Sequence, residues 1–278
     1  AAAPERAPLA FVGVYSAKGN FERRRVIRET WGRVLSEGYG LTVRFFLGEI
    51  SGEPSAEDDL ARWESTVFGD VIDLGVAEGY TMNSAKGLRF HEWCAKHVLA
   101  EFLVKVDDDV YLRPAPLVEI LRRSPPSGFA WGYWDFMSPV PREEGKPFYN
   151  PEESYPFAAF PPYPRGLVRA LSMDVVRHIA RLAARGALRS ISGDDPCLGV
   201  HLRQAVTDPE DPIPMLTIDD RDSYRAFAME PSCNGRLWSH VTGRSWVVHH
   251  VTAEQMRCMW RADVAAGYVD AASARPSA

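Results

Sequence analysis

Along the first part of the chain, short apolar runs alternate with stripes of helical spacing. The apolar runs are APLAFVGVYSA, LTVRFFLGE, DVIDLGV and EFLVKVDDD, and their length and β-branched or aromatic content predict buried strands. Between them, NFERRRVIRETWG, SAEDDLARWESTVFG and NSAKGLRFHEWCAKHVL have helical periodicity. Asn20 stands where the first helix needs an N-cap, and Gly32 where it would stop. Strands alternating with helices predict an α/β fold, a mostly parallel central sheet flanked by helices on both faces. In such sheets ligands gather at the carboxyl ends of the strands. The fourth apolar run reaches that end in three consecutive aspartates, Asp107, Asp108 and Asp109.

The pattern changes between Ser124 and Pro164, where proline, glycine and aromatic residues crowd together. A bland linker would not carry so many Trp, Tyr and Phe, so this stretch reads as a long, irregular, functional segment. SMDVVRHIARLAARGAL then predicts a helix capped by Ser172. In SISGDDPCLGVHLRQA, Asp194 and Asp195 fall in a turn before another helix, with Pro196 suited to its first turn. In SWVVHHVTAEQM, His249 and His250 end a short apolar strand. Residues 1–10 read as a stem or linker remnant and 269–278 as a frayed tail.

Composition narrows the picture. The chain has 278 residues, 46% of them hydrophobic, enough for a substantial core. A formal net charge of −5 argues against a nucleic-acid binder. The local density of arginine in FERRRVIRETWGR still suits a small anionic ligand. No apolar run approaches the roughly 18 residues of a membrane span. The four cysteines have no zinc spacing and allow either two disulfides or four buried thiols.

Three adjacent carboxylates repel one another and resist desolvation, so they call for a positive partner. Strand alternation turns Asp107 and Asp109 one way and Asp108 the other. Hard oxygen donors on one side suit Mn²⁺ or Mg²⁺, and imidazole from the His pair also suits Mn²⁺. The alternative is an acidic turn that caps backbone amides or faces water. An isoprenoid-synthase pattern needs an acid at position 111, which is Tyr111. Asp194 and Asp195 are either helix caps or a catalytic base.

Taken in order, these clusters resemble the β-1,3-glycosyltransferases, a family that includes the β-1,3-galactosyltransferases, their N-acetylglucosaminyl relatives and, more remotely, Fringe. FVGVYSAKGNFERRRVIRETWG is similar to the family's opening block, and FGDVIDLGVAEGYTMNSAKGLRFHEWC to its strand, Tyr-containing turn and helix lysine. FLVKVDDDVYLRP resembles the Asp-rich motif, FPPYPRGLVRALS the Pro-rich block, GDDPCLG the acidic motif, and VVHHVTAEQMRCMW the C-terminal His block. The departures are Leu167, Val168 and Arg169 where glycine and an aromatic are usual, Met82, Asn83 and Ser84 before Lys86, and Asp194 in place of Glu.

The resemblance implies a GT-A-type fold over residues 11–268, with a nucleotide-sugar half at 11–113 and an acceptor and catalytic half at 114–268. It implies inverting transfer of a sugar, galactose first and N-acetylglucosamine or N-acetylgalactosamine as alternatives, from a UDP-sugar to a glycan hydroxyl in β-1,3 linkage. Asp109 and His249, with Asp107, would hold Mn²⁺ or Mg²⁺. Arg24, Arg28 and Lys86, with Asp107 and Asp108, would meet the donor, and Lys105 would lie under the aspartates as a counter-charge. Asp195 would be the base, with Asp194 in reserve. Trp131, Trp134, Tyr149 and Tyr163 would stack on the acceptor beside Gly166. The cysteines would pair as Cys233–Cys258 and Cys94–Cys197. The setting would be the Golgi or another secretory lumen, with a membrane anchor outside this chain. The rivals are a non-catalytic sugar-binding protein and a metal-dependent phosphohydrolase.

Overall fold

The apolar runs become strands because their alternate residues feed two different cores. Val12, Val14, Val104 and Val106 are buried on one face, packed with Val26, Ile27 and Trp31. Phe11, Leu103 and Leu171 are buried on the other, against Phe90, Val176 and Leu198. In this computed structural model, which describes residues 7–50, 55–79, 82–146, 148–225 and 245–269, the strands expected from the sequence are β1 (Ala10–Tyr15), β2 (Thr42–Leu47), β3 (Val71–Asp73) and β4 (Phe102–Asp107). They pair in parallel in the order β3-β2-β1-β4. The order reverses between β1 and β4, which opens a crevice at their carboxyl ends.

The helices are α1 (Phe21–Glu29), the short α2 (Trp31–Arg33), α3 (Ala56–Phe68), α4 (Asn83–His97), α5 (Pro114–Arg123), α6 (Met173–Ala184), α7 (Asp194–Val206) and α8 (Ala253–Ala265). A two-residue strand, β5 (Tyr111–Leu112), follows the aspartates. The sheet then continues past β4 with β7 (Tyr163–Ser172) antiparallel to it, β6 (Phe129–Asp135) antiparallel to β7, and β8 (Leu216–Asp219) parallel to β6. The α/β architecture with a mostly parallel sheet is as expected. A second, small sheet joins β5 to β10 (Val247–Val248) and β9 (Tyr224–Arg225). Val248 pairs with Tyr111, and the Val251 amide donates to the Asp109 carbonyl. Those contacts bring the His pair back to the aspartates.

Several local expectations are corrected. Gly32 does not stop the helix: the chain breaks at Thr30, resumes as α2, and runs on through a wider turn at Val34–Gly38. Asn20 occupies the cap position without capping, because its side chain donates to Asp108 instead. Ser172 precedes α6, but its hydroxyl accepts from the Phe129 amide rather than from the helix. The aromatic segment is not irregular throughout, since FAWGYWD forms β6 and is almost wholly buried. Aromatic residues suit a half-buried pleated surface as well as they suit a sugar.

Cys94 and Cys197 are both free and buried, so the expected bridge between them is absent. They sit in different apolar clusters, Cys94 with Phe90 and Cys197 with Phe160 and Ile191. The other expected bridge, Cys233–Cys258, involves Cys233, which lies outside the described residues. So do Tyr80 of the family's turn and residues 1–6 and 270–278 of the expected stem and tail. Among the described residues no helix is long and apolar enough to cross a membrane.

Trp134 is 3% exposed, and its indole N–H donates to the Ile218 carbonyl. Trp134→Ala is therefore expected to cost about 3–5 kcal/mol of stability through the cavity it leaves. A denaturant midpoint within experimental error of wild type would contradict this core assignment.

Candidate functional site

The site lies at the crevice between β1 and β4. A cleft of about 630 Å³ is lined by Tyr15, Ser16 and Ala17 at the end of β1, by Asp107–Asp109 at the end of β4, and by Lys86, Gly166, Asp194, Asp195, His249 and His250. A second cavity of about 460 Å³ shares Asp107, Phe148, Gly166, Asp195, His249 and His250 with it.

The three aspartates are each met differently. Asp108 is buried and accepts from Ser16 Oγ at 2.6 Å, Asn20 Nδ2 at 2.9 Å and Arg23 Nη1 at 2.9 Å. Asp107 accepts from Lys105 Nζ at 2.5 Å, and Lys105 also donates to the Gly166 carbonyl at 2.5 Å. Burial raises the pKa of Asp107 to about 6 against the opposing pull of Lys105. Asp109 faces His249 Nε2 at 3.2 Å and His250 Nδ1 at 3.4 Å. Burial works to raise its pKa, but His249, Arg23 and His250 together hold the carboxyl below the ordinary value. Lys105, expected under all three aspartates, is the counter-charge of Asp107, while Asp108 is met by Arg23 and Asp109 by the His pair.

Asp109, His249 and His250 present one oxygen and two ring nitrogens within 4.8 Å of one another. A carboxylate and two imidazoles are a donor set that fits a divalent metal such as Mn²⁺. His249 Nε2 is 4.0 Å from Asp107 Oδ2, so Asp107 borders the group. The family resemblance implies His249 alone, whereas both rings reach Asp109, stacked 3.8 Å apart. His250 adopts φ 61°, a conformation costly for a residue other than glycine and found mostly where the surroundings impose it.

Asp194 and Asp195 open α7, where the helix dipole favours negative charge. Arg169, 1% exposed, donates to Asp194 Oδ2 at 2.8 Å and to Asp195 Oδ1 at 2.9 Å. Burial pushes the pKa of Asp194 up, but Arg169 and then Lys105 prevail and hold it below the usual carboxylate range. Gly166 leaves room for Asp195: a Cβ there would stand 2.4 Å from Asp195 Oδ1 and displace that carboxylate.

Of the donor candidates, Lys86 lines the cleft, donates to the Ser16 carbonyl at 2.7 Å, and has its pKa lowered by burial. Arg24 and Arg28 do not reach it. Arg24 is fully buried, paired with Glu64 and bonded to the carbonyls of Ala17 and Lys18, so it shapes the loop after β1. Arg28 pairs with Asp70 and Glu64 and packs on Phe45 and Phe68. Arg23, passed over in the sequence, is the α1 arginine that lines the cleft. If it contacts the ligand, Arg23→Ala should raise the KM for an anionic donor about tenfold with kcat little changed, since a charged hydrogen bond contributes about 1.5–3 kcal/mol. An unchanged donor KM would remove Arg23 from the site.

Of the acceptor candidates, Tyr163 and Gly166 line the second cavity. Tyr163 donates to Ser138 Oγ at 3.1 Å. Trp131 and Trp134 are core residues: Trp131 is stacked on Trp246 at 5.5 Å in the core on one face of the sheet, and Trp134 is buried in the core on the other. Tyr149 is half-buried and lines neither cavity. Phe148, at φ 61°, is the aromatic that borders both.

Comparison with known proteins defines the class. Residues 22–212 match the family model described as Galactosyltransferase, and the chain belongs to that family. It is 30% identical over 266 residues to the mouse (Mus musculus) acetylgalactosaminyl-O-glycosyl-glycoprotein β-1,3-N-acetylglucosaminyltransferase, covering 92% of this chain and 65% of that protein. It is also 30% identical over 242 residues to human (Homo sapiens) β-1,3-galactosyltransferase 4, covering 72% of this chain and 62% of that protein. The chain thus spans less than two thirds of the length of each of these relatives. Among solved structures, the galactosyltransferase LgtC in complex with donor and acceptor sugar analogs covers 93% of this chain and 100% of that chain, at 9% identity and a TM-score of 0.43. A likeness that distant has no functional weight.

Proposed function

We propose that this chain is the catalytic domain of an inverting glycosyltransferase that moves a sugar from a UDP-sugar to a glycan hydroxyl in β-1,3 linkage. The supporting observation is that Asp195, His249 and His250 border both of the joined cavities, and Asp109, which completes the metal-binding group, lines the first. Galactose is the donor sugar that the family description favours. N-acetylglucosamine is the alternative, named for the mouse relative.

Each wall of the site has a task in this reading. Asp109, His249 and His250 would hold Mn²⁺, or Mg²⁺, whose positive charge would stabilise the departing diphosphate. Lys86 and Arg23 would face the diphosphate from α4 and α1. The acceptor would enter the second cavity past Tyr163 and Phe148. Asp195 would take the proton from its hydroxyl as the new bond forms on the face opposite the leaving group. Residues 11–113 would mainly bind donor, and 114–268 acceptor. The names of the relatives, enzymes that glycosylate glycoproteins and glycans, favour a secretory-pathway lumen such as the Golgi.

A thermal-shift screen of UDP-sugars with Mn²⁺ present tests the donor class, because a ligand that binds the folded state raises the melting temperature by mass action. UDP-galactose should raise it most, and UDP-N-acetylglucosamine most under the alternative. No shift with any UDP-sugar would count against a nucleotide-sugar enzyme.

A further inference from the structure

Arg169 lies on β7 directly opposite Lys105 on β4 and Gly132 on β6. Residues opposite each other in a sheet project to the same face. Two cations therefore stand side by side beneath the cleft, Arg169 1% and Lys105 4% exposed. An arginine buried so deeply requires carboxylate partners. Arg169 has two, and they are consecutive residues of one helix turn.

The two carboxylates are not equivalent. Asp194 is pressed against α4, where a Cβ on Gly87 would stand 2.0 Å from its Oδ1. Its side chain is 14% exposed, that of Asp195 33%. Asp195 gives only Oδ1 to the guanidinium, and among the described residues its Oδ2 accepts no hydrogen bond. Arg169 Nε is itself buried without a partner among the described residues. The guanidinium thus forgoes one hydrogen bond while its two other nitrogens reach the two acids.

Resting on the transferase reading above, we propose that Arg169 is a positioning residue for the base. It fixes the Asp195 carboxylate through Oδ1 and leaves Oδ2 for the acceptor hydroxyl. By neutralising Asp194 against α4 it also keeps that neighbour out of the reaction. The hydroxyl proton passes to Asp195 Oδ2 as the acceptor oxygen bonds to the sugar carbon. The bond to the diphosphate breaks with its electron pair leaving on UDP, and the carboxylic acid then returns the proton to solvent.

A double-mutant cycle tests this. Arg169→Met should lower kcat about 100-fold, the scale of a small misplacement of a reacting group, with the donor KM little changed. Arg169→Lys, which keeps the charge but not the fork, should recover part of the loss. In an Asp195→Asn background, Arg169→Met should cost nothing further, because a residue acting through another loses its effect with that partner. A merely structural arginine would add its full cost there. Should Arg169→Met fold poorly, Arg169→Met/Asp194→Asn removes the stranded charge and should show the same kcat loss. Wild-type kcat in a folded variant, or a loss that adds in full to Asp195→Asn, refutes the assignment.

If the wild-type chain transfers no sugar from any UDP-sugar, the transferase reading has failed, and the same four proteins are compared by denaturant melts. The Arg169–Asp195 link then stands if Asp195→Asn shifts the midpoint only when Arg169 is present, and falls if the shifts add.

Discussion

Asp195→Asn is expected to slow sugar transfer by about 10²–10⁴-fold, the usual worth of a positioned base, while UDP binding stays intact. Asn keeps the size of Asp and can still accept from Arg169 through its carbonyl oxygen, so α7 and the strands beneath it should hold. What it loses is the ability to take a proton. Asp194→Asn should be the milder change for catalysis, because Asp194 is turned toward Gly87 and held by Arg169. It should instead lower stability, since one arm of a fully buried guanidinium loses its charged partner. Single-turnover rates and UDP affinity for the two variants decide between them. A normal rate for Asp195→Asn with a dead Asp194→Asn would reverse the roles.

Asp109→Ala is expected to remove most of the turnover, with a loss of about 100-fold or more if the charge it anchors stabilises the leaving group. The fold should survive, because it is the Asp109 backbone carbonyl, not its side chain, that accepts from Val251 and holds the His segment in place. His249 and His250 would remain stacked and Asp107 would stay near His249, so weak metal binding could persist and high Mn²⁺ could restore part of the rate. Chelation of the wild-type protein should give a similar loss, reversible by Mn²⁺. Full activity in excess chelator would remove the metal from the account. Circular dichroism and the melting temperature of Asp109→Ala separate lost chemistry from lost structure.

The parts of this site legible in the sequence are those in which one residue type has one task. The parallel strands were visible because two faces must be buried at once, which leaves continuous apolar runs. The aspartates and the His pair were visible because each ends an apolar strand, and the structure joins them through β5 and β10. The Trp residues of β6 were misplaced because an aromatic ring serves a core and a sugar site equally well, and the sequence does not say that both faces of this strand are covered. Arg24 and Arg23 differ by one position, about 100° around a helix. Here a signal was available: Arg24, Ile27 and Trp31 recur at buried helical spacing, so Arg24 points inward and Arg23 does not. Glu64, the partner that makes Arg24 tolerable, is 40 residues away and could not be read locally. Arg169 carried the same mark as Lys105, a cation interrupting an apolar strand, but its two partners on α7 become visible only when β7 and α7 are packed together.

The most direct test of the central claim is UDP release from UDP-galactose and UDP-N-acetylglucosamine, with and without a panel of acceptor glycans, before and after chelation. Release should appear only when an acceptor and a divalent metal are both present, matched mole for mole by glycosylated product. Equal release without acceptor would point to hydrolysis, and binding without any release would point to a sugar-binding protein on this fold. Either result would contradict the transferase assignment.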